Sequence, residues 1–281
     1  MRLDALLVER GLISGRELAK SIVMAGDVFV DGRRSDKPGA QIYEDAAIEV
    51  RAPVRRFVSR GGYTLERALD FFGVDPTGRV CLDCGASSGG FTDCLLQRGA
   101  ELVYAVDVGY GQLAWSLRSD ARVICRERVN ARNLTPEMFP RAPELAVIDV
   151  SFISLALILP AVKSVLTPTG DAVCLIKPQF EAGREKVGKR GVVREPETHA
   201  EVLRTFLKNA SGAGFMAAGI THSPIRGPEG NIEFLGYLKP PNTDSDIDIP
   251  DIDIDAIVQE AHSTLTDEAA AKLAAMKGAA R

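Results

Sequence analysis

The residues best suited to bind a ligand lie in a glycine-rich turn between a predicted strand and a predicted helix. Apolar residues at 80–82 predict the strand, and the helix extends from about residue 91 to 98. Because glycine has no Cβ, the backbone of such a turn can approach a ligand closely and adopt positive φ. The turn therefore predicts a nucleotide-type pocket, which is formed by Asp83, Gly85, Ser87, Gly89, Gly90 and Phe91.

A second acidic side chain, Asp107, ends the next apolar strand at 102–106. A carboxylate at this position can accept both hydrogen bonds from a ribose diol, which favours a nucleoside-containing ligand. The glycine spacing differs from the G-x-G-x-x-G dinucleotide pattern, and no G-K-[ST] sequence follows it. A P-loop is therefore excluded.

Around this turn, strands and helices alternate with short connections, which predicts a mainly parallel, doubly wound α/β sheet. The last two strands have no helix between them, so one antiparallel strand is expected near an edge. Apolar runs predict seven strands, at 80–82, 102–106, 123–125, 145–148, 172–176, 215–221 and 232–238. Helices are predicted at 59–72, 91–98, 112–118, 155–166 with a kink at Pro160, 196–209 and 256–265.

Composition describes an ordinary globular protein with 46% hydrophobic and 26% charged residues. No apolar run reaches the roughly 18 residues that span a bilayer, and the first residues do not form a signal peptide. Five cysteines in such a chain favour reduced thiols and a cytoplasmic location. Cys81 and Cys84 are interpreted as small buried residues, and no metal site is predicted, because no second cysteine or histidine pair accompanies them.

The first part of the chain is more basic than the rest. Its first 60 residues hold eleven basic and nine acidic side chains, whereas the whole chain has a net charge of −4. These basic residues form either a solvated face or an RNA-binding surface. The segment RLDALLVERGLISGRELAKSIVMAGDVFVDGRRSDKPG closely resembles the S4 RNA-binding module. The resemblance implies phosphate contacts, which give affinity but little sequence choice, from Arg2, Arg10, Arg16, Lys20, Arg33 and Arg34.

Further motifs resemble the TlyA (hemolysin A) family. They are FVSRGGYTLERAL, DCGASSGGFTDCLLQRGA and AVDVGYGQLAWSLRSDARV, followed by VIDVSFISL, LIKPQFE and NIEFLGYL. The resemblance covers residues 2–240 and implies a second domain similar to FtsJ-type RNA methyltransferases, with a Rossmann-like class I methyltransferase sheet. It also implies S-adenosylmethionine as the ligand and a ribose 2′-hydroxyl of ribosomal RNA, typically of a cytidine, as the substrate. Ribosomal subunits are then the expected partners.

The resemblance also implies a catalytic set, a Lys-Asp-Lys-Glu tetrad of which Asp149, Lys177 and Glu233 match here. Asp149 and Lys177 each follow a predicted strand, and ligands of open α/β sheets lie outside the carboxyl ends of the strands. Lys177 is expected to lower the pKa of the ribose hydroxyl or to accept its proton, with Asp149 orienting it. Glu233, in a late strand, is expected to hold the ammonium or the ribose. An ordinary ion pair between Lys177 and Glu233 is the alternative interpretation.

Position 64 departs from the family pattern, because the chain has Thr64 where the family has the first lysine. Threonine carries no charge, so Arg60 and Arg67, one turn away on either side, are candidates for the missing cation. The departure leaves open a slower enzyme or an RNA-binding protein that retains the cofactor pocket and has lost catalysis. The family name suggests a third possibility, a pore-forming hemolysin. The sequence does not support it, because it shows neither an apolar spanning helix nor a secretory signal.

Two weaker site predictions complete the set. Asn130 follows the third strand, where such proteins contact the adenine. The loop at 183–194 contains five basic residues, and Lys189 and Arg190 are expected to clamp RNA, with a solvated loop as the alternative. The expected domains are an S4 domain at 1–54, a basic linker at 55–60, the methyltransferase domain at 61–240 and an acidic linker with a terminal helix at 241–281.

Overall fold

The chain forms two units, Met1–Arg56 and Phe57–Arg281. The computed structural model describes residues 1–13, 15–51, 56–188, 191–241 and 252–265. The predicted linkers at 55–60 and 241–281 therefore lie partly outside the described residues. The RNA clamp predicted at Lys189 and Arg190 lies wholly outside them. Within the described part, no helix is long and apolar enough to cross a membrane.

The smaller unit packs two helices against a three-stranded antiparallel sheet. Its elements are α1 (Leu3–Glu9), α2 (Arg16–Ala25), β1 (Val28–Val30), β2 (Arg33–Ser35) and β3 (Ile48–Val50), with strand order β2-β1-β3. Gly26 ends α2 with a φ of 78°, a left-handed conformation that costs glycine little. The core that joins the helices to the sheet contains Leu3, Leu7, Ile13, Ala19, Ile22, Val23 and Val28.

The larger unit is a seven-stranded sheet covered by helices on both faces. Its strands are β4 (Val80–Cys84), β5 (Leu102–Asp107), β6 (Val123–Glu127), β7 (Leu145–Ile148), β8 (Asp171–Ile176), β9 (Met216–His222) and β10 (Phe234–Lys239). Its helices are α3 (Gly61–Phe72), α4 (Gly90–Gln97), α5 (Trp115–Arg118), α6 (Leu159–Val165), α7 (Pro178–Glu181), α8 (Pro196–Gly212) and α9 (residues 254–265). The predicted seven-stranded, mainly parallel sheet is confirmed.

Strand order places a topological switch at the centre of the sheet. The order is β6-β5-β4-β7-β8-β10-β9, and the pairs β4–β5, β5–β6, β4–β7 and β7–β8 are parallel. The chain moves outward from β4 in one direction and then crosses to β7 on the other side. A crevice opens at such a reversal, outside the carboxyl ends of the strands, and the predicted site residues follow those ends.

The antiparallel strand predicted near an edge is β10, which lies between β8 and β9. Its first residue, Phe234, pairs with Ile176, the last residue of β8. The amino end of β10 therefore meets the carboxyl end of β8. Glu233 directly precedes β10, so the prediction that it lies within a strand is wrong by one residue, and Lys177 directly follows β8.

Two helix predictions also need correction. The expected helix at 155–166 is a 3₁₀ turn at Leu155–Leu157 followed by α6, and Pro160 lies in the first turn of α6 without kinking it. Proline fits this position because the amide it lacks has no intrahelical partner there. The expected helix at 112–118 is confined to α5.

The terminal helix predicted at 256–265 is confirmed by α9, which docks on the larger unit. Its apolar side chains enter the core on one face of the sheet, and they are Ile254, Val258, Ala261 and Leu265. On the same helix, the His262 Nε2 lies 2.9 Å from the Nδ1 of His199 in α8. Burial lowers the pKa of His199 to about 4, so this imidazole pair is neutral at physiological pH.

Candidate active site

The glycine turn connects β4 to α4 and lies against the neighbouring strand end. Gly85 has a φ of +89°, and a Cβ built on it would lie 2.2 Å from the backbone oxygen of Asp149. Gly89 begins α4 with a φ of 97°, and a Cβ there would lie 2.2 Å from the Cδ1 of Leu117. The turn therefore requires glycine at both positions, because positive φ and close contacts coincide there.

Asp107 organises this turn from the end of β5. Its carboxylate accepts hydrogen bonds from the backbone amides of Ser87, at 2.9 Å, and Gly109, at 2.6 Å. The Gln112 side chain lies between these segments, with its Oε1 3.4 Å from the Ser87 hydroxyl. The cavity enclosed here is only about 10 Å³. Gln112 is one of the residues that line this cavity.

Asp83 is a buried carboxylate beneath the turn, within β4. It is fully buried, and its Oδ2 accepts a 2.6 Å hydrogen bond from the Thr92 hydroxyl. Its Oδ1 has no hydrogen-bond partner within the described residues. Burial, reinforced by the charges of Asp149 and Asp107, raises the pKa of Asp83 to about 7. A ligand with positively charged groups would stabilise this carboxylate, so the turn fits a cationic nucleoside such as S-adenosylmethionine.

The other two predicted cofactor residues are Phe91, which is buried, and Asn130, which follows β6. Phe91 is buried, and its ring contacts the position where Gly61 would carry a Cβ, so it packs between α3 and α4. Any contact of Phe91 with a ligand is therefore limited to its backbone. Asn130 follows β6, and its side-chain oxygen accepts a 3.0 Å hydrogen bond from the Arg132 amide.

Three predicted catalytic residues meet next to this turn. The Lys177 Nζ lies 2.5 Å from the Asp149 Oδ1 and donates a 3.0 Å hydrogen bond to the Ser151 hydroxyl. The Lys177 Nζ and the Asp149 Oδ1 are close enough for an ion pair, but they are not aligned for a hydrogen bond. The Asp149 Oδ1 can therefore still accept a hydrogen bond from another donor. Both residues directly follow parallel strands, β7 and β8, which explains how residues far apart in sequence come together.

Glu233 approaches the same cluster from the start of β10 and is only 6% exposed. Burial raises the pKa of Glu233, and the positive charge of Lys177 partly opposes that shift. The Gln179 side chain donates a long, 3.4 Å hydrogen bond to its Oε1. The cluster thus contains two carboxylates and one ammonium group, with Lys177 acting on both carboxylates.

The structure separates the two arginines considered as the missing cation. Thr64 is buried in α3 with 3% exposure. Arg67 places its guanidinium 5.1 Å from the centre of the Phe71 ring, near the far end of α3. Arg60 directly precedes α3 and is exposed. Its positive charge lowers the pKa of Glu233, whereas burial raises that pKa. Arg60 is therefore the better placed of the two.

Sequence analysis missed an exposed aromatic residue beside the cluster. Phe152 is 90% exposed with a φ of 64°, and its ring centre lies 5.1 Å from that of Phe180. Both rings line a cavity of about 770 Å³ whose other lining residues include Arg132 and Arg184. An apolar residue in a run such as VIDVSFISL is expected to be buried, so no local signal distinguishes Phe152 from a core residue.

Residues 57–239 match the family of FtsJ-like methyltransferases. The chain belongs to this family. Residues 1–45 match the S4 domain, which confirms the resemblance of the smaller unit. The FtsJ-like unit therefore contains the glycine turn, Asp107 and the Lys177 cluster.

Relatives of the whole chain show the same combination. The 16S/23S rRNA (cytidine-2′-O)-methyltransferase TlyA of Mycobacterium tuberculosis is 46% identical over 239 residues, which cover 85% of this chain and 89% of that protein. YqxC of Bacillus subtilis is 50% identical over 271 residues, 96% of each chain. A solved structure from Streptococcus thermophilus, described as a hemolysin, has a TM-score of 0.75 and 46% identity, and covers 95% of this chain and 98% of its own. These matches confirm the resemblance to the TlyA (hemolysin A) family.

In the S4 unit, the predicted RNA-binding residues divide into two groups. Arg2 pairs with Asp4 through two hydrogen bonds of 3.0 and 2.8 Å, and Arg10 donates to the backbone oxygens of Glu44 and Ala46. These two arginines help to hold the unit together. The remaining four predicted contacts lie on α2 and β2, and they are Arg16, Lys20, Arg33 and Arg34.

Proposed function

We propose that this chain transfers the methyl group of S-adenosylmethionine to a ribose 2′-hydroxyl of ribosomal RNA, in a cytidine. The observation that carries the proposal is the cluster of Lys177, Asp149 and Glu233 next to the glycine turn. The name of the Mycobacterium tuberculosis relative, a cytidine-2′-O-methyltransferase, supports the choice of substrate. The S4 unit supports an RNA partner, and we propose that the chain binds this RNA within a ribosomal subunit.

S-adenosylmethionine supplies an electrophilic methyl group when it is bound. Gly85, Ser87, Gly89 and Gly90 would hold it by their backbone, and Asp107 would accept hydrogen bonds from its ribose. Asp83 would stabilise its positive charge, since the Oδ1 of that carboxylate has no protein partner within the described residues. The backbone amide of Phe91 and the side chain of Asn130 are further proposed contacts.

Lys177 and the two carboxylates would prepare the ribose hydroxyl. A ribose hydroxyl is a poor nucleophile at neutral pH, and the ammonium group of Lys177 lowers its pKa. Asp149, whose Oδ1 lies 2.5 Å from the Lys177 Nζ, orients the lysine. Burial raises the pKa of Glu233, which makes it a better proton acceptor than a surface glutamate. Holding the reacting oxygen in line provides the rest of the catalytic effect.

A direct assay tests the proposed function. The purified chain is incubated with methyl-labelled S-adenosylmethionine and ribosomal subunits from cells that lack the corresponding enzyme. Label is expected in RNA, and digestion to nucleosides should release 2′-O-methylcytidine. Label on a nucleobase, or no label on either subunit, would contradict the proposal.

Asp107 is expected to be important for cofactor affinity. Replacement by alanine removes the acceptor for the ribose and for the amides of Ser87 and Gly109, so calorimetry should show binding weakened by about 1–3 kcal/mol. Asp120→Ala is the matched control, because Asp120 pairs with Arg122 at the other end of the sheet. Equal affinities in the two variants would remove Asp107 from the cofactor site.

Thr64 favours a second candidate function, an RNA-binding protein with weak or lost catalysis. A lysine at position 64 would lie one turn from Arg60 on the same helical face, and the charge of Arg60 acts on Glu233. Thr64→Lys should therefore raise single-turnover methylation by about 10-fold or more, with unchanged cofactor affinity, if the cluster lacks a cation. A folded variant with lower activity than the unaltered chain would show that the site is adapted to threonine.

A further inference from the structure

The five residues from Lys177 to Glu181 contact Glu233 and the segment that begins at Asp149. Lys177 binds Asp149 and Ser151, and Gln179 donates to Glu233. The remaining contacts of this segment are made by Phe180 with Phe152 and by Glu181 with Ser154 and Leu155. The segment therefore connects the end of β8 to the loop after β7 and to the start of β10.

Glu181 ends this segment, and no step of the proposed reaction uses it. Its Oε2 accepts a 2.7 Å hydrogen bond from the Ser154 hydroxyl, and its Oε1 accepts a 2.8 Å hydrogen bond from the Leu155 amide. It forms no ion pair within the described residues. Burial raises the pKa of Glu181, whereas the two hydrogen bonds oppose that shift. Among the described residues its negative charge is therefore balanced by these two hydrogen bonds and by no cation, which leaves the question of what the two bonds hold in place.

Glu181 holds the loop that follows β7. This loop, residues 149–154, begins at Asp149 and carries the exposed ring of Phe152. Lys177 fixes its first part through Asp149 and Ser151, and Glu181 fixes its last residue. Phe152 has a positive φ, which is unfavourable for a non-glycine residue and persists only where the surroundings impose it. The two anchors provide that constraint.

We propose that Glu181 is a positioning residue for methyl transfer, which holds the loop of residues 149–154 so that Asp149 and Phe152 face the RNA nucleotide correctly. The inference rests on the proposed function and adds a residue to its site. Glu181 acts through Ser154 and Leu155 and does not contact the reacting atoms. The geometry of its two acceptor oxygens matters, and its negative charge does not.

Substitutions that separate geometry from charge test this inference. Glu181→Ala removes both acceptors, and kcat for RNA methylation should fall about 10- to 100-fold, since a displacement of about 1 Å costs that much. Glu181→Gln can accept from the Leu155 amide and donate to the Ser154 hydroxyl, so its kcat should stay within about threefold of the unaltered chain. Cofactor affinity should be the same in both variants, because neither contacts the glycine turn.

Asp171→Ala is the matched control for general destabilisation. Asp171 is a buried carboxylate that pairs with Arg79 and accepts a 2.7 Å hydrogen bond from the Tyr237 hydroxyl. It begins β8, whereas Lys177 follows the end of the same strand, so Asp171 lies at the opposite edge of the sheet. Assays run below the melting temperatures of both variants should show a loss of kcat for Glu181→Ala that Asp171→Ala does not share.

Ser154→Ala gives a milder test that does not depend on Glu181→Ala folding. It removes one of the two donors to Glu181, together with the cap of the 3₁₀ turn, and should lower kcat by a smaller factor.

Any one of three results would overturn this inference and leave the proposed function intact. The first is a kcat for Glu181→Ala equal to that of Asp171→Ala, and the second is a kcat for Glu181→Gln as low as that of Glu181→Ala. The third is an unchanged kcat in Ser154→Ala. In each case the unaltered chain would still methylate RNA. Absence of methylation by the unaltered chain and by Asp171→Ala would instead remove the proposed function, and this inference with it.

Discussion

Replacement of Lys177 by alanine is expected to reduce methyl transfer by about 10²- to 10⁴-fold, the contribution of a positioned acid–base group. The Lys177 Nζ lies 2.5 Å from Asp149 and its charge also acts on Glu233. Without it, the negative charge of Asp149 acts on Glu233 with no ammonium group to oppose it, and the ribose hydroxyl loses the group that lowers its pKa. Single-turnover methylation of ribosomal subunits measures the loss, and cofactor affinity should not change.

The pH dependence of the same variant gives a second readout. Burial raises the pKa of Glu233 and the charge of Lys177 lowers it, so loss of Lys177 raises that pKa further. If Glu233 must be ionised, activity declines as pH falls through its pKa. The residual activity of Lys177→Ala should therefore be lost at a higher pH than the activity of the unaltered chain. A profile displaced to lower pH would contradict the role given to Glu233.

Lys208→Ala is the matched control, because Lys208 is an exposed lysine of α8. Its rate should equal that of the unaltered chain. Lys177→Arg retains the charge with a different shape, so it should recover part of the activity without reaching the original rate. Full activity in Lys177→Ala would show that the cluster is an ordinary ion pair.

Gly85→Ala is expected to have the largest effect on the cofactor site. The new Cβ would lie 2.2 Å from the backbone oxygen of Asp149, and the φ of +89° is strained for alanine. The turn or the start of the loop after β7 must move, and both belong to the proposed site. We expect cofactor binding to become undetectable by calorimetry, and the free energy of unfolding to fall by about 1–3 kcal/mol from the clash alone.

Gly73→Ala separates backbone strain from the clash. Gly73 ends α3 with a φ of +65°, and a Cβ built on it meets nothing within 4 Å. This control should lose about 1–2 kcal/mol of stability from strain and bind cofactor normally. The difference between the two variants in thermal unfolding measures the contact with Asp149. If both variants bind cofactor equally well, the turn does not form the cofactor site.

The central sheet could be predicted from the sequence because its strands are buried on both faces. Every residue of β4 and β8 is buried, and apart from Asp83 and Asp171 the residues of both strands form short apolar runs in the sequence. Asp107, Asp149 and Lys177 were located for the same reason, since each marks the point where such a run ends. Parallel strands then bring these ends to one edge of the sheet.

Other parts of the site depend on contacts that local sequence does not encode. The start of β10 could be placed only approximately, because pairing with Ile176 in β8 determines where Phe234 begins the strand. Phe91 was assigned to the cofactor from its position after the turn, whereas packing of α4 against α3 buries its ring. Phe152 has a positive φ in a loop whose ends contact Glu181 of α7 and Lys177, both far away in sequence.

The position of β10 has a consequence for how the enzyme is made. Translation releases β8 first, then β9, and only then β10, yet β10 pairs with both earlier strands and lies between them. On the ribosome, β9 therefore cannot take its final place before the last strand has emerged. Glu233 arrives with that strand and completes the Lys177 cluster. A nascent chain that ends before β10 thus contains the glycine turn but lacks Glu233 of the proposed catalytic cluster, so we expect activity only at a late stage of synthesis.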